Sequence, residues 1–215
     1  MAKKIQDIIK SAQIAIPNAI NIDDIRTTLA SYGYPLPKLE QGNLLLEALI
    51  AAQTKQQLEY GDQDKATQTF NDLWDQLDQI YTRQLKLARV ALKGNSDAAR
   101  DLALDGPRRK SFGGWSMQAQ QFYAGLAANP SFAAALASFG APLPEQEAAS
   151  AALADVIAAL RALENERGQA QIATRERDAA IDALDDWLGD FMAVARVAFA
   201  DQPEHLERLG VTVRA

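Results

Sequence analysis

Apolar residues recur at alternating steps of three and four along two long, proline-free stretches of the chain. These stretches run from residue 38 to about 93 and from residue 145 to about 201. This spacing is typical of a helix with one buried face, and a single heptad phase holds through each stretch. The ends of each seam are apolar and the middle is polar, with Gln53, Gln56 and Arg177 among its positions. The pattern predicts two long amphipathic segments that pack as an antiparallel bundle or a coiled-coil-like assembly.

A glycine lies in the polar middle of each stretch and leaves two interpretations open. Gly61 or Gly168 could end a helix, giving an αα-hairpin with its tip at residues 60–66 or 167–173. Alternatively, one helix could continue through the glycine for about 55 residues. Helices of that length are rare in soluble domains, which favours the hairpin. The unbroken heptad phase and the lack of a turn residue in 168–173 favour the continuous helix, which we prefer.

A nine-residue motif occurs twice and indicates an internal repeat. Residues 29–37 read LASYGYPLP and residues 136–144 read LASFGAPLP, an offset of 136 − 29 = 107. The match continues without a gap along the following stretch and includes Ala-Arg-Val-Ala at 88–91 and 195–198. Self-similarity at a fixed offset is the signature of a repeated structural unit. The sequence therefore predicts a tandem duplication, with residues 1–107 and 108–215 as two helical repeats integrated in one bundle about a pseudo-twofold axis.

The repeated motif predicts a rigid corner between a short helix and a long one. Gly33 can adopt the left-handed conformation that closes a helix, and Pro35 cannot continue that helix. Pro37 has the φ angle that the first turn of the next helix requires. Between the two prolines, Leu36 and its counterpart Leu143 are expected to be buried and to fix the angle at which the long helix begins.

Shorter helices are predicted around the two long segments. They cover residues 3–16, a stretch that starts within 21–24 and runs to about 31, and residues 96–104, 117–128, 132–138 and 203–209. Pro17 is expected to stop the first helix, and residues 111–116 are expected to form a turn. In the helix after that turn, the side chains expected on the buried face are Met117, Phe122, Tyr123 and Leu126.

Composition and charge narrow the class of protein. The chain has 215 residues, a formal charge of −6 and no cysteine. The excess of acidic groups repels phosphate backbones, so nucleic acid is not an expected partner. No secretory signal peptide and no apolar run of roughly 18 residues is recognised, and cysteine-free composition fits a reducing compartment. We therefore expect a cytoplasmic, all-α protein.

No arrangement of residues carries recognisable catalytic, cofactor-binding or metal-binding chemistry. The single histidine, His205, follows Gln202 at the spacing where a di-iron bundle would need a glutamate. A row of four aspartates could face a cation, but a solvated helix face has the same pattern; it comprises Asp182, Asp185, Asp186 and Asp190. Arg89 and Arg196 could anchor an anion, but pairing with Asp78, Asp185 or a helix end is the expected arrangement, since a partly buried charge needs a partner. The basic residues 108–110 are expected to form a solvated linker.

The second half of the chain resembles the C-terminal half of alanine-rich, uncharacterised bacterial helical proteins. The resemblance covers roughly residues 108–213 and rests on the block 175–184, on the segment Gln120-Gln121-Phe122-Tyr123 and on the corner at 139–140. It implies a helical fold and brings no activity, cofactor or site residue.

These observations lead to two hypotheses about function. The first is a non-enzymatic structural or interaction protein that self-associates or binds a protein partner, because the heptad seams are long. The alternative is a helical bundle that binds a small apolar ligand, or a membrane surface through the basic amphipathic helix 3–16. An enzyme would require the aspartate row to hold a metal ion.

Overall fold

The fold is described by a computed structural model for residues 5–212, and within that range it consists of helices joined by short connections, without a strand. The all-α class predicted from the sequence is confirmed. The described helices are α1 (Ile5–Asn21), α2 (Asp23–Ser31), α3 (Leu36–Ala91), α4 (Ser96–Asp101), α5 (Phe112–Ala128), α6 (Pro130–Ala137), α7 (Leu143–Ala198) and α8 (Pro203–Arg208).

The two long helices continue through their central glycines. Each of α3 and α7 contains 56 residues. Neither Gly61 nor Gly168 has a positive φ, and a Cβ added at either position would lie in open space. The surrounding Gln, Lys, Glu and Ala residues are strong helix formers, so the small cost of one glycine does not interrupt the helix. The continuous interpretation is confirmed and the hairpin interpretation is wrong.

Helix bounds recur at the same spacing as the sequence motif. The first residues of α3 and α7 are separated by 143 − 36 = 107 positions, and α1 and α5, α2 and α6, and α4 and α8 begin at the same separation. A residue and the residue 107 positions away are called counterparts below.

The described residues form two compact units, and each unit takes one half of each long helix. Unit 1 combines residues up to Gly61 with those from Gly168 onward, and unit 2 is Asp62–Arg167. Each unit therefore draws on both predicted repeats. The division of the sequence at residue 107 stays a prediction.

Unit 1 has an apolar core. Its fully buried large side chains include Ile16, Ile25, Leu29, Leu39, Leu49, Phe191 and Phe199. Trp187 stacks on Phe191 with ring centroids 5.2 Å apart, and Tyr34 meets both rings edge-on. The Trp187 ring passes so close to Gly42 that a Cβ there would lie 2.3 Å from it. A glycine is thus required where α3 and α7 meet in this unit.

Unit 2 has a core of leucine and alanine side chains that also contains a group of aromatic rings. Its fully buried large side chains include Leu77, Tyr81, Leu85, Trp115 and Phe122. Tyr81 meets Trp115 and Phe122 edge-on, with centroids 6.2 and 5.5 Å away. Edge-to-face aromatic pairs add about 0.5–1.5 kcal/mol to the energy of burial. This packing holds α5 against the second half of α3.

The predicted corners have the expected backbone but a different buried residue. Gly33 and Gly140 have φ values of +83° and +93°, which confirms the left-handed conformation. The prediction that Leu36 and Leu143 are buried is wrong, since they are 41% and 48% exposed. The residue after each glycine is buried instead: Tyr34 is 3% exposed and Ala141 is fully buried. Closing the short helix directs that residue inward, and the leucines begin the next helix on its outer side.

Two other local predictions are wrong for reasons of capping and packing. Pro17 lies inside α1, because Ala15, Ile16 and Ala19 are fully buried and their packing offsets the lost backbone hydrogen bond. The predicted turn at 111–116 is the start of α5, since the Ser111 side chain accepts a hydrogen bond from the backbone N–H of Gly114 and caps the helix. Met117 is consequently on the outer face of α5 and is 73% exposed.

The amphipathic face of α1 is buried within unit 1. Ile8, Ala12, Ala15, Ile16 and Ala19 have at most 2% exposure. A membrane surface would need those side chains, so this packing disfavours the membrane alternative. Lys3 and Lys4, which belong to the predicted basic face, lie outside the described residues. Across residues 5–212, no helix combines the length and apolarity needed to cross a bilayer.

Continuity of the long helices predicts that alanine is better than glycine at their centres. Gly61→Ala and Gly168→Ala should each raise the free energy of unfolding by about 0.5–1 kcal/mol, because a helical glycine loses more backbone entropy on folding. Gly33→Ala and Gly140→Ala are the matched controls and should destabilise the protein, since their φ angles are positive. Urea denaturation measures all four; destabilisation by Gly61→Ala or Gly168→Ala would contradict a continuous helix.

Candidate functional site

A cleft of about 640 Å³ opens in unit 2 beside the end of α5, helix α6 and the start of α7. This volume is within the range of small-molecule sites. Its apolar walls come from Leu126, Ala127, Pro130, Ala133, Leu143 and Ala151. Its polar side chains are Tyr123, Gln146, Glu147 and Ser150. A mainly apolar cleft with a few polar groups is the usual composition of a ligand site.

Gln146 fixes the floor of the cleft. Its side chain is 5% exposed, and its Nε2 donates to the carbonyl oxygens of Ala133 at 3.0 Å and Ala141 at 2.7 Å. These bonds tie the first turns of α7 to α6 and to the corner. The Oε1 atom of Gln146 is buried and has no hydrogen-bond partner. The amide nitrogen of Gln146 is thus engaged in two hydrogen bonds within the fold, whereas its amide oxygen has no partner.

Tyr123 connects the cleft with a cluster of buried polar side chains. Its ring is 6.2 Å from that of Tyr81, and its hydroxyl and the Tyr81 hydroxyl both lack a hydrogen-bond partner. Gln84 is fully buried, donates from Nε2 to Glu145 at 2.8 Å and leaves its Oε1 unpartnered. We call Tyr81, Gln84, Tyr123 and Gln146 the buried polar cluster. An unsatisfied buried polar group costs about 1–3 kcal/mol.

Burial controls the ionisation of the two tyrosines in this cluster. It raises the pKa of Tyr81 to about 12, although the cationic side chains of Arg89 and Arg108 act in the opposite direction. Burial also raises the pKa of Tyr123, and the neighbouring Tyr81 and Glu145 add to the effect. Both hydroxyls therefore stay protonated at neutral pH and can donate a hydrogen bond.

Glu145 is held at the start of α7 by two residues of α3. It forms an ion pair with Arg83 and accepts the hydrogen bond from Gln84. The bond from Arg83, followed by that from Gln84, lowers the pKa of the Glu145 carboxyl group. Glu145 is therefore ionised at neutral pH and engaged with α3, whereas Glu147, two residues on, lines the cleft and is exposed.

The polar seam positions of unit 1 pair with one another. Arg177 donates from Nη1 to Gln56 Oε1 at 3.0 Å, and Lys55 forms an ion pair of 2.7 Å with Glu176. Thr174 lies within 3.4 Å of the Gln56 side chain. Both ion-pair partners are half exposed, so this pair contributes little to stability and mainly fixes which residues of α3 and α7 are adjacent.

Of the two arginines that were predicted to pair, Arg89 has a structural role. Arg89 donates to the backbone carbonyls of Leu104 at 2.8 Å and Gly106 at 2.7 Å, so it holds the chain after α4. The expectation that residues 108–110 are fully solvated is wrong for Arg108, which forms a 2.6 Å ion pair with Asp78. Arg196 is exposed.

The other candidates are not brought into a common site. His205 packs edge-on against Phe199, 5.3 Å away. Asp182, Asp186 and Asp190 are exposed, and Asp185 is half-buried and engaged in an interaction. Within residues 5–212, no group of three or more acidic or histidine side chains is placed to hold a metal ion.

Sequence reasoning missed the cleft, although the sequence contains a signal for it. Tyr123 and Gln146 have the apolar counterparts Ile16 and Leu39. Tyr81 and Gln84 likewise have Leu188 and Phe191 as counterparts. Comparing the two repeats position by position, for polar residues that replace apolar ones, would have identified the buried polar cluster.

Comparisons with known proteins add no assignment. The chain matches no family model, no curated protein and no solved structure. The resemblance of residues 108–213 to alanine-rich bacterial proteins stays a prediction.

The raised pKa of Tyr81 predicts a loss of stability at alkaline pH. The pKa of Tyr81 is higher in the folded protein than in the unfolded chain. Its contribution to the free energy of unfolding is therefore intact below about pH 10 and is lost as the pH rises toward 12. Tyr81→Phe should remove about 2 kcal/mol of this dependence, as measured by the free energy of unfolding from pH 8 to 12. Tyr32→Phe, at an exposed tyrosine, should keep the wild-type slope. If the free energy of unfolding of Tyr81→Phe depended on pH as steeply as that of wild type, Tyr81 would not be the source of the alkaline loss of stability.

Proposed function

We propose that this chain is a non-enzymatic helical binding protein whose unit 2 cleft holds a small, largely apolar molecule. The observation that carries the proposal is an apolar cleft lined by Tyr123 and Gln146, whose hydroxyl and Oε1 atoms are buried and have no hydrogen-bond partner. A ligand that enters such a site removes apolar surface from water and gives each polar atom a partner. We propose a cytoplasmic location, as the cysteine-free composition suggests.

We propose further that the fold arose by tandem duplication and that α3 and α7 run antiparallel. Contacts in unit 1 support the direction: Gly42 adjoins Trp187, whereas Lys55, later in α3, adjoins Glu176, earlier in α7. The constant separation of 107 between helix starts supports the duplication.

A reversed pair of charges agrees with this proposal. In unit 2, Arg83 of α3 pairs with Glu145 of α7. Their counterparts in unit 1 are Asp190 and Lys38, which both interact with Tyr34. The Lys38 Nζ is 3.8 Å from the centroid of the Tyr34 ring. Burial is the main cause of the raised pKa of Tyr34, and the negative charge of Asp190 is the second. Opposite charges at counterpart positions favour one arrangement of the two helices over its alternatives.

Small side chains open the cleft, and their counterparts in unit 1 are larger. Ala127 and Ala151 line the cleft, and their counterparts are Ile20 and Leu44. Ser150 likewise has Asn43 as its counterpart. Unit 1 thus has larger side chains at the same helix positions, and the same residues are chosen below to narrow the cleft.

Filling the cleft should abolish binding while the helices remain intact. The double variant Ala127→Ile/Ala151→Leu should bind the neutral fluorescent probe N-phenyl-1-naphthylamine at least about tenfold more weakly than wild type, a change of 1.4 kcal/mol in binding free energy. Fluorescence titration measures the affinity, and circular dichroism checks the helix content.

The matched control is Ala124→Ile/Ala148→Leu, which makes the same changes at exposed alanines three residues earlier that do not line the cleft. It should bind the probe as wild type does. Equal affinity in the filled variant and the control, or no saturable binding to wild type, would contradict a ligand site in this cleft.

Self-association is a second candidate function, favoured by an exposed apolar stripe on α3. Leu44 and Leu58 are 64% and 65% exposed, and the exposed Ala51 lies midway between them. The three residues recur every seven positions, which is the spacing of a helix-pairing seam. A second copy of the chain would bury this stripe.

Removal of the stripe should suppress self-association. In sedimentation velocity, wild type should show a sedimentation coefficient that rises with concentration toward that of a dimer, and Leu44→Gln/Leu58→Gln should stay monomeric because the seam loses its apolar contacts. Val90→Gln/Val197→Gln, at exposed valines outside the stripe, is the control and should behave as wild type. A wild-type monomer at every concentration would exclude this second function.

A further inference from the structure

An arginine in unit 1, Arg26, occupies a position whose counterpart in unit 2 lines the cleft. Arg26 donates from Nη1 to the carbonyl oxygen of Ile20 at 2.8 Å and from Nη2 to Asp23 Oδ1 at 2.6 Å. The counterparts of Ile20, Asp23 and Arg26 are Ala127, Pro130 and Ala133.

All three of these counterparts line the cleft. In unit 1 the guanidinium group thus binds a carbonyl oxygen near the end of α1, and in unit 2 the matching end of α5 adjoins an open cleft. One of the differences between the two units lies at this position, where an arginine side chain is replaced by the methyl group of Ala133.

The polar groups around the cleft also suit a donor with positive charge. The last carbonyl groups of α5 lack intrahelical partners and form the partially negative end of the helix dipole. Gln146 Oε1 is an unpartnered acceptor, and Glu147 contributes a carboxylate at the rim. None of the residues that line the cleft is lysine or arginine. An anion would find no cationic partner among them.

We infer that the ligand of the cleft is an organic cation, an ammonium or guanidinium group carried on an aliphatic or aromatic body. The charged group donates to acceptors of the kind that Arg26 uses in unit 1, and the body packs on Leu126, Leu143 and Ala151. This inference rests on the proposed function and adds the chemical class of the ligand. The net charge of −6 favours the approach of such a molecule.

Three probes of equal chain length separate charge from apolar contact. Isothermal titration calorimetry with hexylamine, 1-hexanol and hexanoate should give hexylamine the highest affinity, at least about fivefold above 1-hexanol, because charge-assisted hydrogen bonds are the stronger ones. Raising the salt concentration should reduce the advantage of hexylamine and leave 1-hexanol unaffected, since screening acts on the charge.

Two variants test the residues. Ala133→Arg restores the arginine of unit 1 and should abolish hexylamine binding, because its own guanidinium occupies the cleft. Glu147→Gln, at an exposed position, should lower the ratio of hexylamine to 1-hexanol affinity about threefold, as expected for one solvent-accessible charge. Asp155→Asn, at an exposed acid of α7 that does not line the cleft, is its control and should leave the ratio unchanged.

The outcomes distinguish this inference from the proposal on which it rests. If wild type bound hexylamine and 1-hexanol with equal affinity and Ala127→Ile/Ala151→Leu bound neither, the inference of a cationic ligand would be wrong and the proposal of a ligand site would stand. Preference for hexanoate would also overturn it. Binding of no probe to wild type would overturn both. If Ala133→Arg fails to fold, as judged by circular dichroism, the Glu147→Gln ratio decides the inference alone.

Discussion

The continuity of α3 and α7 through their central glycines is the constraint on which the rest of the structure depends. A helix that does not fold back cannot bury its own apolar seam, so each end of α3 has to pack against part of α7 and against shorter helices. The compact units consequently combine one half of each long helix, as Gly42 and Trp187 illustrate in unit 1. Neither repeat of the sequence could supply such a core by itself.

The two units use the same succession of helices for cores of different chemistry. Unit 1 places Ile16, Leu39, Leu188 and Phe191 where unit 2 places the buried polar cluster of Tyr123, Gln146, Tyr81 and Gln84. Polar atoms that are buried without partners reduce stability, and each residue of the buried polar cluster leaves one such atom at a position where unit 1 has an apolar side chain. The ligand proposed for the cleft that Tyr123 and Gln146 line would offer a partner to such groups.

Periodicity and turn chemistry made the helices predictable, whereas the cleft depends on tertiary neighbours. The heptad phase through Gly61 indicated a continuous helix, and Gly33 with Pro35 indicated the corner. Which residue of the corner enters the core could not be predicted, because Tyr34 is selected by its contacts with Trp187 and Phe191. The same limit applies to Gln146, because a glutamine is an ordinary residue for a helix surface. It is buried here because α6 and the corner place two carbonyl groups within reach of its amide.

The pairing of α3 with α7 is the central claim, and cross-linking tests it most directly because the chain has no cysteine. Gln56 and Arg177, whose side chains are 3.0 Å apart, would both be replaced by cysteine. This variant would be treated with a short bismaleimide, and the products would be distinguished by their mass. The account predicts an efficient cross-link within the monomer. A pair at Gln56 and Phe70, which a hairpin centred on residues 60–66 would bring together, should not react. The opposite result, with 56–70 linked and 56–177 unlinked, would contradict a continuous α3 and the units built on it.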